Sequence, residues 1–425
     1  MRKNNLDQIR EQVLREVRAD RLIELASAIC DVHSPTGQEA EVARLIQSLM
    51  HDIGMRAILQ EVEEGRPNVI GILEGSGSGR TLMFNGHMDT SFPFLKGTSA
   101  YGKGILERPL PSEVDGEWLY GTGVENMKAG IACYLGAVEA LQRAGIRLAG
   151  DILIAGCVGE VETSAVGRFQ GQAYRGFGHG SRYLITHGGL ANFCIIGEPS
   201  NLKIGVGTCG TVWLKITSNG PVTGAYRSDW ETNPINRAMR LMEGLQSWRT
   251  SFIERYRHHS IDPVVTISGI EGGWPWRASR SPGSCSIYVD VRTAPDQALI
   301  SVKEDLVPLV RSFDPEDKRY RSEVEFYASI PGGEISLDEE IVQVVQDAHT
   351  AVHGHAASYR YSHPLNDGVH ISRYGIPTVV YGPGGASRDD VVDPKNEYVR
   401  VENLVNCAKV YALVALEVCN LSTAS

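Results

Sequence analysis

The chain has 425 residues, more than one small hydrophobic core can organise, and this length predicts two or three domains. Its formal net charge of −10 argues against sequence-independent binding of nucleic acid, which needs a basic surface. No apolar run reaches the length of a membrane span, and the polar start over residues 1–5 does not resemble a signal peptide. We therefore expect a cytoplasmic protein with neither nucleic acid nor membrane as a partner.

The first half of the chain shows alternating helices and buried strands. Apolar residues at helical spacing predict helices over 6–29, 38–52 and 127–143. Short apolar runs predict buried strands at 68–73, 80–85, 151–157 and 193–197. Residues 168–191 are rich in Gly, Tyr and His and predict a long loop or an insertion.

The pattern changes near residue 208, where apolar and polar residues alternate as in a half-exposed strand. A helix, two strands and a second helix are predicted next, at 233–256, 263–269, 284–292 and 297–312. This order fits a small ferredoxin-like domain. After about residue 330 the α/β pattern resumes, with a helix over 337–353, a strand ending at 379–381 and a closing helix over 401–420.

The predicted fold class is α/β. Residues 1–207 and 330–425 would form a catalytic α/β domain with a mixed central sheet, interrupted by an inserted ferredoxin-like α+β domain over 208–329.

The eight cysteines are scattered without a C-x-x-C pair, mostly in apolar runs, which predicts packed thiols and argues against a zinc–thiolate site. Ligands of such sheets bind beyond the carboxyl ends of the strands, so residues that follow strands are the first functional candidates.

Acids and a histidine recur where the apolar runs stop. His87 and Asp89 follow one run, and because they are two residues apart they point to the same face of extended chain. A histidine in this position can give one ring nitrogen to a metal and donate its other N–H to the carboxylate. Glu160 and Glu198 follow two further runs. Taken alone, the His-x-Asp pair is equally compatible with a loop of no special function, since short motifs carry a high false-positive risk.

Several short stretches across nearly the whole chain share one pattern. They are Gly86–Asp89, Gly121–Gly123 with Met127–Lys128, Gly159–Glu160, Ile196–Pro199, Asp367–Gly368, Gly382–Gly384 and Asn396–Val399. In order and spacing they resemble the dinuclear zinc metallopeptidase family of aminoacylases, carboxypeptidase G and succinyl-diaminopimelate desuccinylase. The resemblance implies a small-molecule substrate and a catalytic α/β domain interrupted by a lid domain, through which the chain would form a homodimer.

The first metal position of that family is retained with one change. The resemblance assigns His87 and Glu198 as metal ligands, and both are present. The bridging Asp of the family is replaced by Asn126. An amide offers one neutral carbonyl oxygen and bridges two cations much more poorly than a carboxylate does.

The second metal position is rewritten. Either Val161 replaces the family's second Glu, or one residue is inserted and Glu162 takes its place, while the C-terminal His is Asp393. We therefore expect one divalent metal per chain, Zn²⁺ or Mn²⁺, held by the first set of ligands. Glu125, Glu162 and Asp393 remain further candidate ligands.

The resemblance also assigns catalytic roles. Glu160 aligns with the general base that takes a proton from water activated by the metal, and Asp89 would orient His87. A purely structural alternative for Glu160 is capping of a following helix. Retention of these residues together with Glu198 argues against a third possibility, an inactive binding homologue.

Two substrate-binding positions of the family are altered. Gly224 stands where the lid supplies a histidine to the oxyanion of a tetrahedral intermediate, and Val369 replaces the arginine that grips a substrate carboxylate. The loss of these two residues favours hydrolysis of a C–N bond in a substrate that is not an ordinary N-acyl amino acid. The family contains such an outlier, which replaces the aromatic amine of 5-nitroanthranilate by hydroxyl. An aromatic aminohydrolase is therefore our first hypothesis, and an amidase or peptidase acting on N-acyl amino acids is the alternative.

Residue types suggest which side chains would hold an aromatic carboxylate. Arginines pair with carboxylates and stack on rings, and an indole ring stacks on an aromatic substrate. The candidates in the inserted domain are Arg227, Arg277 and Arg280, with Trp276 beside them. The candidates in the family-like stretches of the first domain are Asp367, His370 and Gly384.

Overall fold

The computed structural model describes residues 2–90, 111–386 and 397–420, with side chains from residue 7 onwards. The chain divides into two compact units. The first unit comprises residues 1–206, 335–360 and 366–425, and the inserted unit comprises Gly207–Glu334 and Tyr361–Leu365. The predicted domain borders were 207/208 and 329/330, so the inserted unit begins one residue earlier and ends five residues later than predicted. It also includes the short second segment Tyr361–Leu365.

Helices and strands are numbered along the chain. The helices are α1 (Arg2–Glu16), α2 (Ala19–Cys30), α3 (Ala40–Asp52), α4 (Ala129–Arg143), α5 (His179–Thr186), α6 (Pro234–Arg255), α7 (Ile300–Ser312), α8 (Glu340–His353), α9 (Gly368–Ser372) and α10 (Val401–Val418). The strands are β1 (Arg56–Glu63), β2 (Arg66–Leu73), β3 (Leu82–His87), β4 (Glu113–Asp115), β5 (Trp118–Tyr120), β6 (Ile152–Cys157), β7 (Phe193–Ile196), β8 (Ile204–Thr208), β9 (Gly210–Asn219), β10 (Val264–Gly272), β11 (Ser284–Thr293), β12 (Glu323–Ile330), β13 (Gly333–Glu334), β14 (Tyr359–Ser362), β15 (Thr378–Val380) and β16 (Tyr398–Arg400).

The first unit is built on a mixed sheet with the strand order β1-β2-β6-β3-β7-β15-β8. The strands β6, β3, β7 and β15 run parallel, whereas β1, β2 and β8 are antiparallel to their neighbours. All residues of β3, β6 and β7 are buried, as expected for strands covered on both faces. The predicted α/β class with a mixed central sheet is therefore confirmed.

The helices differ from the sequence prediction at two places, in residues 6–29 and in residues 168–191. The single helix predicted over 6–29 is two helices, separated at Arg18, whose backbone is extended. This break allows both α1 and α2 to pack on α4, whose residues 129–141 are all buried. The stretch 168–191, predicted as a loop, contains α5, which is too short for a clear apolar periodicity but buries Leu184 and Ile185 under the sheet cluster.

The inserted unit contains a four-stranded antiparallel sheet in the order β10-β11-β9-β12. The chain order β9-α6-β10-β11-α7-β12 is that of the predicted ferredoxin-like domain. Alternate residues of β9 face the helices, so that Val212, Leu214 and Ile216 share one core with residues of α6 and α7. Asn233 caps α6 by accepting a hydrogen bond from the Ile235 backbone N–H.

The sequence also predicted packed cysteine thiols and no membrane-spanning segment. Each of the eight cysteines is buried and free, as predicted from the apolar runs around them. Across residues 2–90, 111–386 and 397–420, no helix combines the length and the apolar character that a membrane span requires.

Candidate metal and catalytic site

Three adjacent strand ends bring the candidate site together. His87 is the last residue of β3, Glu160 lies three residues after β6, and Glu198 lies two residues after β7. Because β6, β3 and β7 are parallel neighbours, their carboxyl ends open at the same edge of the sheet. One ligand atom of each of these three residues lies within 4.8 Å of the others.

The His87 imidazole stands at the centre of the cluster. Its Nε2 atom is 3.2 Å from Glu198 Oε1, 3.7 Å from Glu160 Oε2 and 3.0 Å from Asn126 Oδ1. Its Nδ1 atom lies 2.9 Å from the Asp89 backbone carbonyl, which can only accept a hydrogen bond. Nδ1 therefore donates a proton to that carbonyl, and Nε2, which faces the three oxygen atoms, is the ring nitrogen that would bind a metal.

The carboxylate of Asp89 has a different role from the one predicted. Its Oδ1 atom is 3.5 Å from His87 Nδ1, so the orienting hydrogen bond is made by the Asp89 main chain. The carboxylate instead accepts hydrogen bonds from the backbone N–H groups of Glu160 and Val161, at 3.0 and 3.2 Å, and from the Thr36 hydroxyl at 2.7 Å. Asp89 thus holds the loop that carries Glu160.

A buried ion pair supports the same loop from the other side. Arg66 and Glu39 are fully buried, and two nitrogens of the guanidinium donate to the carboxylate at 2.6 and 3.0 Å. The same guanidinium donates to the Arg175 backbone carbonyl at 3.3 Å. Gly159 has φ +64°, and a Cβ atom there would lie 2.7 Å from Arg66 Nη2. The glycine before Glu160 is therefore required by both backbone conformation and space.

Electrostatics favour one positive charge inside the cluster. Burial opposes protonation of His87, but the carboxylates of Glu160 and Glu198 outweigh it and raise the pKa of the imidazole well above its usual range. Burial, reinforced by Glu198 and opposed by His87, raises the pKa of Glu160. Two acids and one imidazole nitrogen that lie close together with little solvent are stabilised by a cation, and the mixed nitrogen and oxygen donor set fits Zn²⁺ or Mn²⁺.

Asn126 faces the cluster from the helical turn Val124–Lys128, which precedes α4. Its side-chain oxygen lies closer to His87 Nε2 than the oxygens of Glu198 and Glu160 do, and its backbone N–H donates to Glu397 Oε2 at 3.3 Å. Burial raises the pKa of Glu397 to about 7. Glu397 was not among the predicted site residues, although the family-like stretch Asn396–Val399 contains it.

The further candidate metal ligands predicted from the sequence are Glu125, Glu162 and Asp393. In the described part of the chain, the cluster around His87 includes neither Glu125 nor Glu162. Burial raises the pKa of the Glu125 carboxyl, and the Gly385 backbone N–H opposes that rise. Asp393 lies outside the described residues.

Asp367 belongs to a buried polar network behind the site. The Ser181 hydroxyl donates to Asp367 Oδ2 at 2.6 Å, and the Asn85 side-chain amide donates to the Ser181 oxygen at 3.0 Å. Burial raises the pKa of Asp367 to about 7, and Oδ1 accepts no hydrogen bond from the described residues. Sequence reasoning missed Ser181 and Asn85, because they lie on α5 and β3 without any motif.

His370 and Gly384 occupy packed positions. His370 is buried on α9, its Nε2–H donates to the Phe177 carbonyl at 3.0 Å, and burial lowers its pKa to about 4. A Cβ atom on Gly384 would lie 2.4 Å from the Glu125 carbonyl oxygen, so this glycine permits close packing of two backbones. The prediction that His370 binds substrate is therefore corrected, because its ring holds the Phe177 loop.

The predicted arginines lie together in the inserted unit. Arg227, Arg277 and Arg280 are exposed, and so is Trp276, at 79%. The two loops that carry them are joined by a β-bridge between Gly224 and Arg280. The structure thus groups these candidates with one another, whereas the cluster around His87 belongs to the first unit.

Comparisons with known proteins agree with this architecture. A model of the peptidase family M20/M25/M40 matches residues 83–417. The N-formyl-4-amino-5-aminomethyl-2-methylpyrimidine deformylase of Halalkalibacterium halodurans is 24% identical over 423 residues, with 92% of each chain covered. Human carnosine dipeptidase 1 has a similar fold, with a TM-score of 0.75 and 15% identity over 97% of this chain and 99% of that chain.

A further solved structure also has a similar fold. The Bacillus subtilis YXEP protein, described as a dinuclear metal binding peptidase from the M20 family, has a TM-score of 0.62 and 16% identity over 95% of this chain and 99% of that chain. This likeness concerns the fold alone, whereas the family match spans most of the chain. The chain belongs to the peptidase family M20/M25/M40 and is a metal-dependent hydrolase that acts on C–N bonds.

Proposed function

We propose that this hydrolase is an aromatic aminohydrolase, which replaces the amino group of an aminobenzoate such as 5-nitroanthranilate by hydroxyl. The observation that carries the proposal is the amide of Asn126, which stands 3.0 Å from His87 Nε2 where the family has a bridging carboxylate. A neutral amide suits one cation far better than two. We therefore propose one metal in this site, Zn²⁺ or Mn²⁺.

The metal would be held by His87, Asn126 and Glu198. When bound, a divalent cation in this position supplies Lewis acidity and lowers the pKa of water. The reaction itself is balanced by water alone: a C–O bond forms at the ring carbon, the C–N bond breaks, and ammonia leaves. Oxidants and other cofactors are not required.

Glu160 is the proton carrier in this proposal. It accepts a proton as water attacks the ring carbon, and it returns that proton to the departing nitrogen. Its raised pKa suits both steps, because a buried carboxylate binds a proton more readily than an exposed one does. Asp89 positions it through the two backbone N–H groups that it holds.

The loss of the oxyanion histidine supports a substrate that forms no tetrahedral amide oxyanion. Gly224 occupies that position in the inserted unit. We propose that the exposed Arg227, Arg277 and Arg280 bind the carboxylate of the aromatic acid and that Trp276 stacks on its ring. These residues act on binding rather than on the chemical step.

The decisive assay offers two substrate classes to the metal-loaded full chain. Ammonia release is expected from 2-aminobenzoates, with the greatest rate on nitro-substituted rings, because an electron-withdrawing group stabilises the charge that develops during attack. N-acetyl and N-formyl amines are expected to release no carboxylate at comparable rates. Release of carboxylate without ammonia would replace this proposal by the amidase alternative, which the full-length similarity to a formyl-amine hydrolase favours. Inactivity toward both classes would exclude both substrate assignments.

We further propose that the chain forms a homodimer through its inserted unit. The edge strand β10 exposes Ile267 and Ile270, and Met239 is exposed on the adjacent helix α6. An unpaired strand edge with apolar side chains is a favourable surface for a second copy. Light scattering should give twice the mass of the 46.4-kDa chain, and a monomer mass at micromolar concentration would contradict the proposal.

A further inference from the structure

A second group of metal-binding side chains lies at the end of α8. His349 and His353 are four residues apart, so they occupy the same face of the helix, and their ring centroids are 4.1 Å apart. The helix ends at Gly354, whose φ of +76° turns the chain back. His355 is thereby placed with its ring centroid 5.5 and 5.8 Å from the other two.

The ring nitrogens of this group converge. One nitrogen atom of each of the three histidines lies within 4.8 Å of the others. His349 is 4% exposed, and its Nε2 atom and that of His353 are buried without a hydrogen-bond partner among the described residues. Buried polar atoms are nearly always satisfied, and an unsatisfied one costs about 1–3 kcal/mol. Two such atoms on neighbouring rings of one cluster favour a ligand that binds both.

The surroundings supply the features of a histidine metal site. His349 Nδ1 lies 2.8 Å from the Tyr381 hydroxyl, whose oxygen can accept the Nδ1–H hydrogen bond and leave the Nε2 lone pair free. Burial, together with the neighbouring imidazoles, lowers the pKa of His349 to about 4 and also lowers that of His353.

We propose that His349, His353 and His355 bind a divalent transition metal, Zn²⁺ in preference to Mg²⁺ or Ca²⁺, at a site distinct from the cluster around His87. Three imidazoles form the donor set of a tetrahedral Zn²⁺ site with one position left for water. Mg²⁺ and Ca²⁺ require oxygen ligands that this group lacks. The bound ion would fasten the last turn of α8 to the segment that follows it.

The test compares the full-length wild-type chain with His355→Ala. His355 is exposed, so its truncation leaves the core of the first unit intact. The matched control is His187→Ala, which removes an equally exposed histidine that stacks on Tyr183 and belongs to no cluster in the described residues. Metal-free protein is titrated with Zn²⁺, and with Co²⁺ as a visible-absorbing substitute, and bound metal per chain is counted after dialysis.

The expected result is one metal fewer in His355→Ala than in wild type, or a weakening of that binding step by at least about 100-fold, since even second-shell losses cost 10–100-fold. His187→Ala should match wild type. Zn²⁺ should raise the melting temperature of wild type more than that of His355→Ala, because a ligand that binds only the folded state stabilises it. Equal stoichiometry and affinity in wild type and His355→Ala would overturn the proposal. Hydrolytic activity is expected to stay unchanged, which separates this site from the catalytic one.

Discussion

Replacing Glu160 by Gln is expected to reduce turnover by about 10²–10⁴-fold, the usual contribution of a general acid–base residue. Gln has nearly the same shape as Glu but cannot accept or return a proton. The raised pKa of Glu160 means that the uncharged carboxyl is already tolerated in this buried position, so a neutral amide should not unfold the chain. His87, Asn126 and Glu198 remain in place to hold the metal.

The measurement is the steady-state rate of ammonia release, together with bound metal and the melting temperature of each variant. Glu162→Gln is the matched control, because it removes a carboxylate from the same loop but outside the cluster around His87, and its rate should stay close to that of wild type. An unchanged rate in Glu160→Gln would remove this residue from the mechanism. A loss of metal in the same variant would show that Glu160 is a ligand, as its 3.7 Å distance from His87 Nε2 would permit.

The sequence was most informative where one local pattern decides the structure. Continuous apolar runs marked β3, β6 and β7, because strands buried on both faces need no polar face. The rule that ligands bind beyond such strands then indicated His87, Glu160 and Glu198 without any coordinates. The order of strands in the sheet, which makes these three ends neighbours, is a long-range property that no local pattern contains.

The contacts that hold the site were less accessible to sequence reasoning. The spacing of His87 and Asp89 predicted their proximity, yet it could not distinguish the Asp89 carbonyl from its carboxylate as the partner of the imidazole. The carbonyl is the partner because the Asp89 carboxylate already accepts a hydrogen bond from the backbone N–H of Glu160. Likewise, His370 carries no sign in the sequence that its ring faces Phe177, because burial is set by how α9 packs.

The histidine group at the end of α8 illustrates the same limit. The spacing of four between His349 and His353 is visible in the sequence and lies within a correctly predicted helix. The spacing cannot show that both Nε2 atoms are buried and find no hydrogen-bond partner among the described residues. It also cannot show that Gly354 turns the chain so that His355 lies near them. A pattern of three histidines became a candidate metal site only when orientation and burial were known.

Removing ligands from the two sites one at a time should separate their metals. We expect two bound Zn²⁺ per wild-type chain, one in His87→Ala, one in His355→Ala and none when both are replaced. Hydrolysis should fall below detection in His87→Ala, because the catalytic cluster loses its central nitrogen donor. Glu198→Gln serves as a second catalytic-site variant, since its side chain is only partly buried and its replacement should disturb folding less.

The decisive number is the metal content of His355→Ala, in which the histidine group no longer contributes. One metal per chain with full activity would mean that the amide of Asn126 has reduced a two-metal site to a one-metal site. Three metals in wild type and two in His355→Ala would mean that Glu162 and Asp393 rebuild the second position, and the amidase alternative would then be the stronger explanation. The proposed catalytic site and the proposed histidine site can be tested separately, because the catalytic metal depends on His87 and the other metal on His355.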